Sequence, residues 1–178
     1  MSLSTTGDGD AASPPISIRP LNGRLEAEAC ARMMGASEPW VTLRRSYARS
    51  LETLTEPDKE VYIACDDRNI AGFLILDLRG PLRGYIQTVC VEPSRRGHGV
   101  GTKLIRWAEA RIEQESPNVF LCVSSFNPAA RRLYERLGYQ LVGTLTDYLV
   151  PGHDEYLFRK TTGSWEAFRA ASAAARDK

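Results

Sequence analysis

The chain has 178 residues, with 23 basic against 22 acidic side chains and a formal net charge of +1. That near-cancellation gives no electrostatic case for a nucleic-acid or membrane-surface partner. With 43% hydrophobic and 25% charged residues, it reads as a globular domain of ordinary size, able to bury a core without staples.

Residues 1–14 are small and polar, rich in Ser, Gly and Asp. They lack the apolar centre of a signal peptide, so they read as a disordered tail on a cytoplasmic protein. No apolar stretch approaches the roughly 20 residues needed to span a bilayer. Ile16 to Arg19 alternates as a short strand before Pro20. Leu25 to Met34 and Val41 to Leu54 carry helical spacing, separated by Gly35 to Pro39. The period then changes to strands. Glu60 to Cys65 and Ile70 to Leu78 make a hairpin about the turn Asp66–Asn69, and Tyr85 to Val91 is the next strand.

A glycine cluster, Gly97 to Gly101, precedes a long helix whose apolar face is Leu104, Ile105, Ala108 and Ile112. Val119 to Val123 is nearly continuous apolar, the pattern of a strand buried on both faces. Asn127 and Pro128 suit the cap and first turn of a helix that Gly138 ends. Tyr139 to Thr144 and Glu155 to Arg159 read as two closing strands around Val150–Asp154, and Trp165 to Ala175 as a last helix. This order predicts a mixed α/β sheet with helices on both faces. The domain is expected over 15–162, with a helical tail over 163–178.

Four cysteines are present, Cys30, Cys65, Cys90 and Cys122. None forms a CxxC pair, and His98 and His153 are the only histidines, so no zinc or other metal is expected. Three of the four lie in apolar strand-like runs and read as buried free thiols of a reducing compartment.

The chemistry concentrates in Arg95-Arg96-Gly97-His98-Gly99-Val100-Gly101-Thr102, between a strand and a helix. A helix mouth exposes N–H groups that its own turns cannot satisfy, and it carries the positive end of the helix dipole. Glycines let a phosphate approach that backbone, and two arginines add charge. GxxxxGK[ST] is absent, and a GxGxxG motif needs glycine where Thr102 stands. A ligand-free glycine turn is the plain alternative.

With Val89-Cys90-Val91-Glu92-Pro93 ahead of it, this segment resembles the GNAT superfamily of N-acetyltransferases. Their Q/R-x-x-G-x-G/A signature is met by Arg96, Gly99 and Gly101. The stretch Asn118 to Tyr139, with Asn127 and Leu133-Tyr134-Glu135 before Gly138-Tyr139, is similar to the second motif of that family. The resemblance covers roughly Val61 to Arg159. It implies a GNAT fold, α/β (α+β), with a mostly antiparallel mixed sheet of six to seven strands splayed between strands 4 and 5.

It also implies acetyl-CoA as cosubstrate. The pyrophosphate would lie on the backbone of Arg96, Gly97, His98, Gly99, Val100, Gly101 and Thr102. The pantetheine would pair with Val89, Cys90 and Val91. Asn127, Arg131 and Tyr134 would also meet CoA, and at about 100° per residue these three share one helical stripe. Asn127 can equally cap its helix, and Arg131 can equally be a solvated charge. Tyr134 is implied as the acid that protonates the departing thiolate, and the Val89 N–H as the oxyanion donor.

The general base is not evident. Relatives place a glutamate on either of two strands, and by spacing those positions hold Tyr85 and Cys122. Glu92 is expected to turn toward the loop. Asp147, Glu155, His153, a water held by Gln87, or a water chain to solvent remain open. An acetyl-cysteine route through Cys122 is disfavoured, because a thiol in an apolar run stays protonated.

Acceptor contacts are expected from Trp40, Tyr85, Gln87, Asp147, Tyr148 and Glu155; Trp40, Tyr47, Asp147, Tyr148, Asp154 and Glu155 form an acidic, aromatic rim that would suit a cationic amine, with plain solvation of acidic loops as the alternative. Leu145-Thr146-Asp147-Tyr148 resembles acetyltransferases that modify a ribosomal protein's N-terminal amine, although Leu149 stands where those carry a second tyrosine. The acceptor therefore stays open among protein or peptide N-termini, lysines, polyamines and aminoglycosides. The chain is expected to be a monomer or homodimer. A noncatalytic CoA-binding or metabolite-sensing module on the same fold is the alternative.

Overall fold

The structure is a computed structural model that describes residues 15–66 and 69–176. The tail expected over 1–14 and the middle of the Asp66–Asn69 turn lie outside the described residues. Asp66 N still donates to Asn69 O at 3.2 Å, and Asn69 N to Asp66 Oδ1 at 2.8 Å, so the turn's two ends close on each other.

In chain order the elements are β1 (Ser17–Pro20), α1 (Gly23–Gly35), α2 (Tyr47–Leu54), β2 (Glu60–Cys65), β3 (Ile70–Asp77) and β4 (Tyr85–Val91). A single 3-10 turn, Pro93–Arg95, leads to α3 (Val100–Ile112), β5 (Asn118–Ser124), α4 (Pro128–Arg136), β6 (Gln140–Val150), β7 (His153–Thr161) and α5 (Trp165–Arg176). The seven strands form one sheet in the order β1-β2-β3-β4-β5-β7-β6, and only β4 and β5 run parallel.

Both faces of the sheet are covered, which is why β3 is buried along nearly its whole length. One face packs Leu74, Leu76 and Ile86 against Leu104, Ile105 and Ala108 of α3 and against Tyr134 of α4. The other packs Phe73, Ile75 and Cys90 against Ala27, Cys30 and Met34 of α1 and against Leu54 of α2. Each fully buried Leu, Ile or Phe contributes about 1.5–3 kcal/mol. The first core continues into Val119, Leu121 and Val123 of β5 and Phe158 of β7, whereas the second ends at β4, which leaves that face of β5 and β7 to shape a cleft.

Three expectations are corrected. The helix expected over Val41 to Leu54 is only Tyr47–Leu54. Arg44 takes φ 51°, Arg45 N turns back to Trp40 O at 3.0 Å, and the Ser46 hydroxyl caps the helix by accepting from Arg49 N at 3.2 Å. The strand expected over Tyr139 to Thr144 runs on to Val150, and Val150 pairs with His153 across a turn reduced to Pro151-Gly152. β5 is not buried on both faces, because Phe120 and Cys122 stand half-exposed on the face away from α3.

Candidate active site

The site begins with a fault in the ladder between β3 and β4. Ile75 faces Thr88 and Leu76 faces Ile86, so Gln87 is one residue too many, a β-bulge. The bulge bends β4 away from β5. The two strands pair only at Tyr85↔Phe120 and Ile86↔Leu121, and from Gln87 onward they part.

The parting leaves backbone amides without a strand partner. Glu92 N donates to Ala71 O of β3, at 3.0 Å. Successive residues of a strand point their backbone groups to alternate sides. Val91 and Val89 therefore turn theirs into the gap. The Val91 carbonyl is met by Arg96 Nε at 3.2 Å, which ties the strand edge to the glycine loop.

The gap opens into a cleft of about 740 Å³, within the range of small-molecule sites. Its floor is Val89, Cys90 and Val91, and its far end is Gly97, Gly99, Val100, Gly101 and Thr102. Helix α3 is capped by Gly99 at φ 79°, with no side chain bonded to its first amides. Those amides, with Arg95 and Arg96 beside them, fit a diphosphate. Arg95 is held there by an ion pair with the buried carboxylate of Asp66.

The loop glycines have different reasons. Gly97 and Gly99 adopt φ 78° and 79°, and a Cβ at either would project into open space. A Cβ at Gly101 would sit 3.6 Å from Leu133 and Val91, ordinary contact at an unstrained backbone. Gly99→Ala is therefore expected to weaken CoA binding by roughly tenfold or more, since αL strain costs about 1–2 kcal/mol and a methyl occupies the phosphate space. Gly101→Ala should leave it nearly unchanged, and calorimetric titration with CoA distinguishes the two.

Tyr134 and Asn127 reach the cleft from α4, together with Ala130 and Leu133. The Asn127 side chain accepts from Ala130 N at 3.2 Å, so it caps the helix while the residue lines the cleft. Tyr134 is 8% exposed, and its hydroxyl has no partner among the described residues. Burial pushes its pKa up to about 12, which keeps the proton on at neutral pH. Arg131 shares the helical stripe but does not line the cleft. Its Nε pairs with Glu135 at 2.9 Å and its guanidinium lies 5.0 Å over the Tyr156 ring. His98 also stands off the cleft wall, with Nδ1 2.8 Å from Arg96 O.

On the opposite face, strand register gathers a second group. Tyr85 lies opposite Phe120, Cys122 opposite Leu157, and Ser124 opposite Glu155. Tyr85, Cys122, Ser124 and Glu155 all line the cleft beside the gap, with Tyr148 and Leu149 above them. Burial and the neighbouring Cys122, Glu155 and Tyr148 push the Tyr85 hydroxyl well above the usual phenol range. Burial raises the Cys122 thiol, as expected for a mid-strand cysteine. Glu155 is 4% exposed, bonded to the Ser124 hydroxyl, and raised by burial above the usual carboxylate range.

Trp40 and Gln87 join this wall, and Gln87 Oε1 is enclosed without a hydrogen-bond partner. Asp147 does not reach it: at φ 51° its carboxylate accepts from Gly152 N at 2.6 Å and shapes the β6–β7 hairpin. His153 packs edge-on against Phe126, 4.8 Å between centroids, and Glu92 is bonded to the Ser94 hydroxyl. Ser124, Leu43 and Arg45 were not singled out by the sequence. Arg45 lines the cleft from the segment before α2, bonded to Thr53 at 2.6 Å and, among the described residues, without a carboxylate partner. Leu43 and Arg45 lie in the segment misread as helix, and only strand register brings Ser124 to Glu155.

A pocket between two parting parallel strands, floored by free amides and ending at a helix mouth, is the arrangement of an acyl-CoA-dependent transferase. Residues 27–139 match the acetyltransferase (GNAT) family, and the chain belongs to it. Acetyl-CoA is thus its cosubstrate. The chain is 28% identical over 157 residues to the N-alpha-acetyltransferase RimI of Mycobacterium tuberculosis, covering 84% of this chain and 94% of that protein. It is 33% identical over 110 residues to the blasticidin-S acetyltransferase of Streptomyces morookaense, covering 57% and 75%. In fold it resembles Arabidopsis thaliana NAA60 in complex with a bisubstrate analogue, with a TM-score of 0.69 and 22% identity over 84% of this chain and 100% of that one.

Proposed function

We propose that this chain transfers acetyl from acetyl-CoA to a primary amine by direct attack within a ternary complex. The observation that carries this is the gap after Ile86↔Leu121, which opens into one cleft lined by the glycine loop and Tyr134 and also by Tyr85, Cys122, Ser124 and Glu155. Both reactants then meet across a single opening, which removes most of the entropic barrier to their encounter.

In this reading the Val89 N–H, directed into the gap, donates to the tetrahedral oxyanion. The Tyr134 hydroxyl gives its proton to the CoA thiolate as the C–S bond breaks. A free thiol has a pKa near 8.5 and an unperturbed phenol near 10, so a buried tyrosine assists by position rather than by acidity. The raised Cys122 thiol opposes an acetyl-cysteine intermediate, since the thiolate is the nucleophile. Protein N-termini are an acceptor class that the likeness to RimI supports, and small-molecule amines one that the likeness to blasticidin-S acetyltransferase supports.

The residues at positions 85 and 122 favour a second reading, a CoA-binding module without turnover. Incubation with acetyl-CoA and a panel of primary amines, followed by free-thiol release, separates the two. Amine-dependent release supports transfer. CoA binding with no amine-dependent release supports the module.

A further inference from the structure

We infer that Glu155 of β7 is the general base of this site, held in place by Ser124 of β5. The inference rests on the acetyl-transfer reading and deepens it. The two strand positions where relatives carry a glutamate hold Tyr85 and Cys122, and neither serves. Partial burial holds both the hydroxyl and the thiol protonated, so neither accepts a proton near neutrality.

Strand register supplies the replacement. β5 pairs with β4 on one side and with β7 on the other, and Cys122, Ser124 and Glu155 project to the same face as Tyr85. Glu155 is displaced by one strand from the usual place, yet it faces the same opening. Asp147, His153 and Glu92 are each engaged elsewhere, and Glu38, the other carboxylate on the cleft wall, accepts from Thr42 N and Oγ1. Among the described residues, Glu155 is the carboxylate that lines the cleft on the sheet itself.

The chemistry balances. The amine nitrogen forms its bond to the thioester carbonyl carbon, and the C–S bond breaks. The proton lost by nitrogen goes to a Glu155 oxygen, and the proton on Tyr134 goes to sulfur. Ser124 does not touch the reactants. It is a positioning residue, and its hydrogen bond favours the charged carboxylate against the burial that disfavours it. The groups facing Glu155 are Tyr85 from β4, Cys122 and Ser124 from β5, and Tyr148 near the β6 tip, with Arg45 on the same cleft wall. The charged side chains that line the same cleft with Glu155 are Glu38, Arg45, Arg95, Arg96 and Arg136.

The test uses the full chain and the best acceptor from spermidine, tyramine, kanamycin and a short peptide with a free N-terminus. Glu155→Gln should lower kcat/KM by roughly 10²-fold near neutrality, with CoA affinity and melting temperature unchanged. A raised carboxylate is active only above its pKa, so wild-type kcat/KM should fall as pH falls through it. That limb should vanish in Glu155→Gln. The limb from the acceptor's own deprotonation is common to both enzymes. Ser124→Ala should move the carboxylate limb to higher pH, and Glu155→Asp should recover part of the rate. Wild-type turnover and an unchanged profile in Glu155→Gln would overturn the assignment. No turnover with any amine, while CoA still binds, would overturn the transfer reading itself and with it the base.

Discussion

Deletion of Gln87 is expected to weaken CoA binding by at least about a hundredfold, on the order of 3 kcal/mol, while the domain stays folded. Gln87 is the surplus residue of the β3–β4 ladder. Ile75 would still face Thr88 and Leu76 would still face Ile86 once it is removed. Ile86 already packs with the α3 face and Cys90 with the α1 face, so no core residue changes sides. What changes is the bend. A regular β4 continues alongside β5 past Leu121, and the Val89 and Val91 amides find strand partners instead of a ligand. Circular dichroism should show a folded chain, and titration should show no CoA binding in the concentration range of the wild type. A deletion variant that binds CoA normally would mean that the bulge does not create the site.

Tyr134→Phe is expected to lower kcat by roughly tenfold to a hundredfold with CoA affinity unchanged. The ring is packed in the core against Tyr139, 5.9 Å between centroids, and phenylalanine keeps that packing. The hydroxyl has no partner within the described protein, so its loss strands no buried group. The cost should fall on thiolate departure alone. A greater loss should appear with acceptors of low basicity, where expulsion of the thiolate limits the rate. Equal turnover of the two enzymes would remove Tyr134 from the chemistry.

Much of the glycine-loop end of the cleft was legible in the sequence, because the features that make it are local. Three glycines, two arginines and a helix start occupy consecutive positions, and each carries its meaning within a few residues. The placement of Asn127 and Tyr134 on the cleft wall was legible for the same reason, through helical spacing. Arg131 lies on the same helical stripe, where its i+4 partner Glu135 holds it off the cleft wall as a solvated charge.

The acceptor face was less legible, because it is assembled by register. Nothing local marks Ser124 as the partner of Glu155, 31 positions away, until β5 and β7 are paired. The Gln87 bulge is equally silent, since alternation through Tyr85 to Val91 reads as an ordinary strand. The false helix at Val41 came from apolar spacing alone. The Ser46 cap and the positive φ of Arg44 overrule it.

The account depends on free backbone amides along one side of β4 taking the pantetheine, with the mouth of α3 taking the diphosphate. Amide hydrogen exchange followed by NMR, with and without CoA, tests both at once. The Val89, Val91 and Gly97–Thr102 amides should exchange rapidly in the free chain and be strongly slowed by CoA. Thr88 and Cys90, turned toward β3, should be protected in both states. Saturation with CoA that leaves Val89 and Val91 exchanging as before would contradict this assignment.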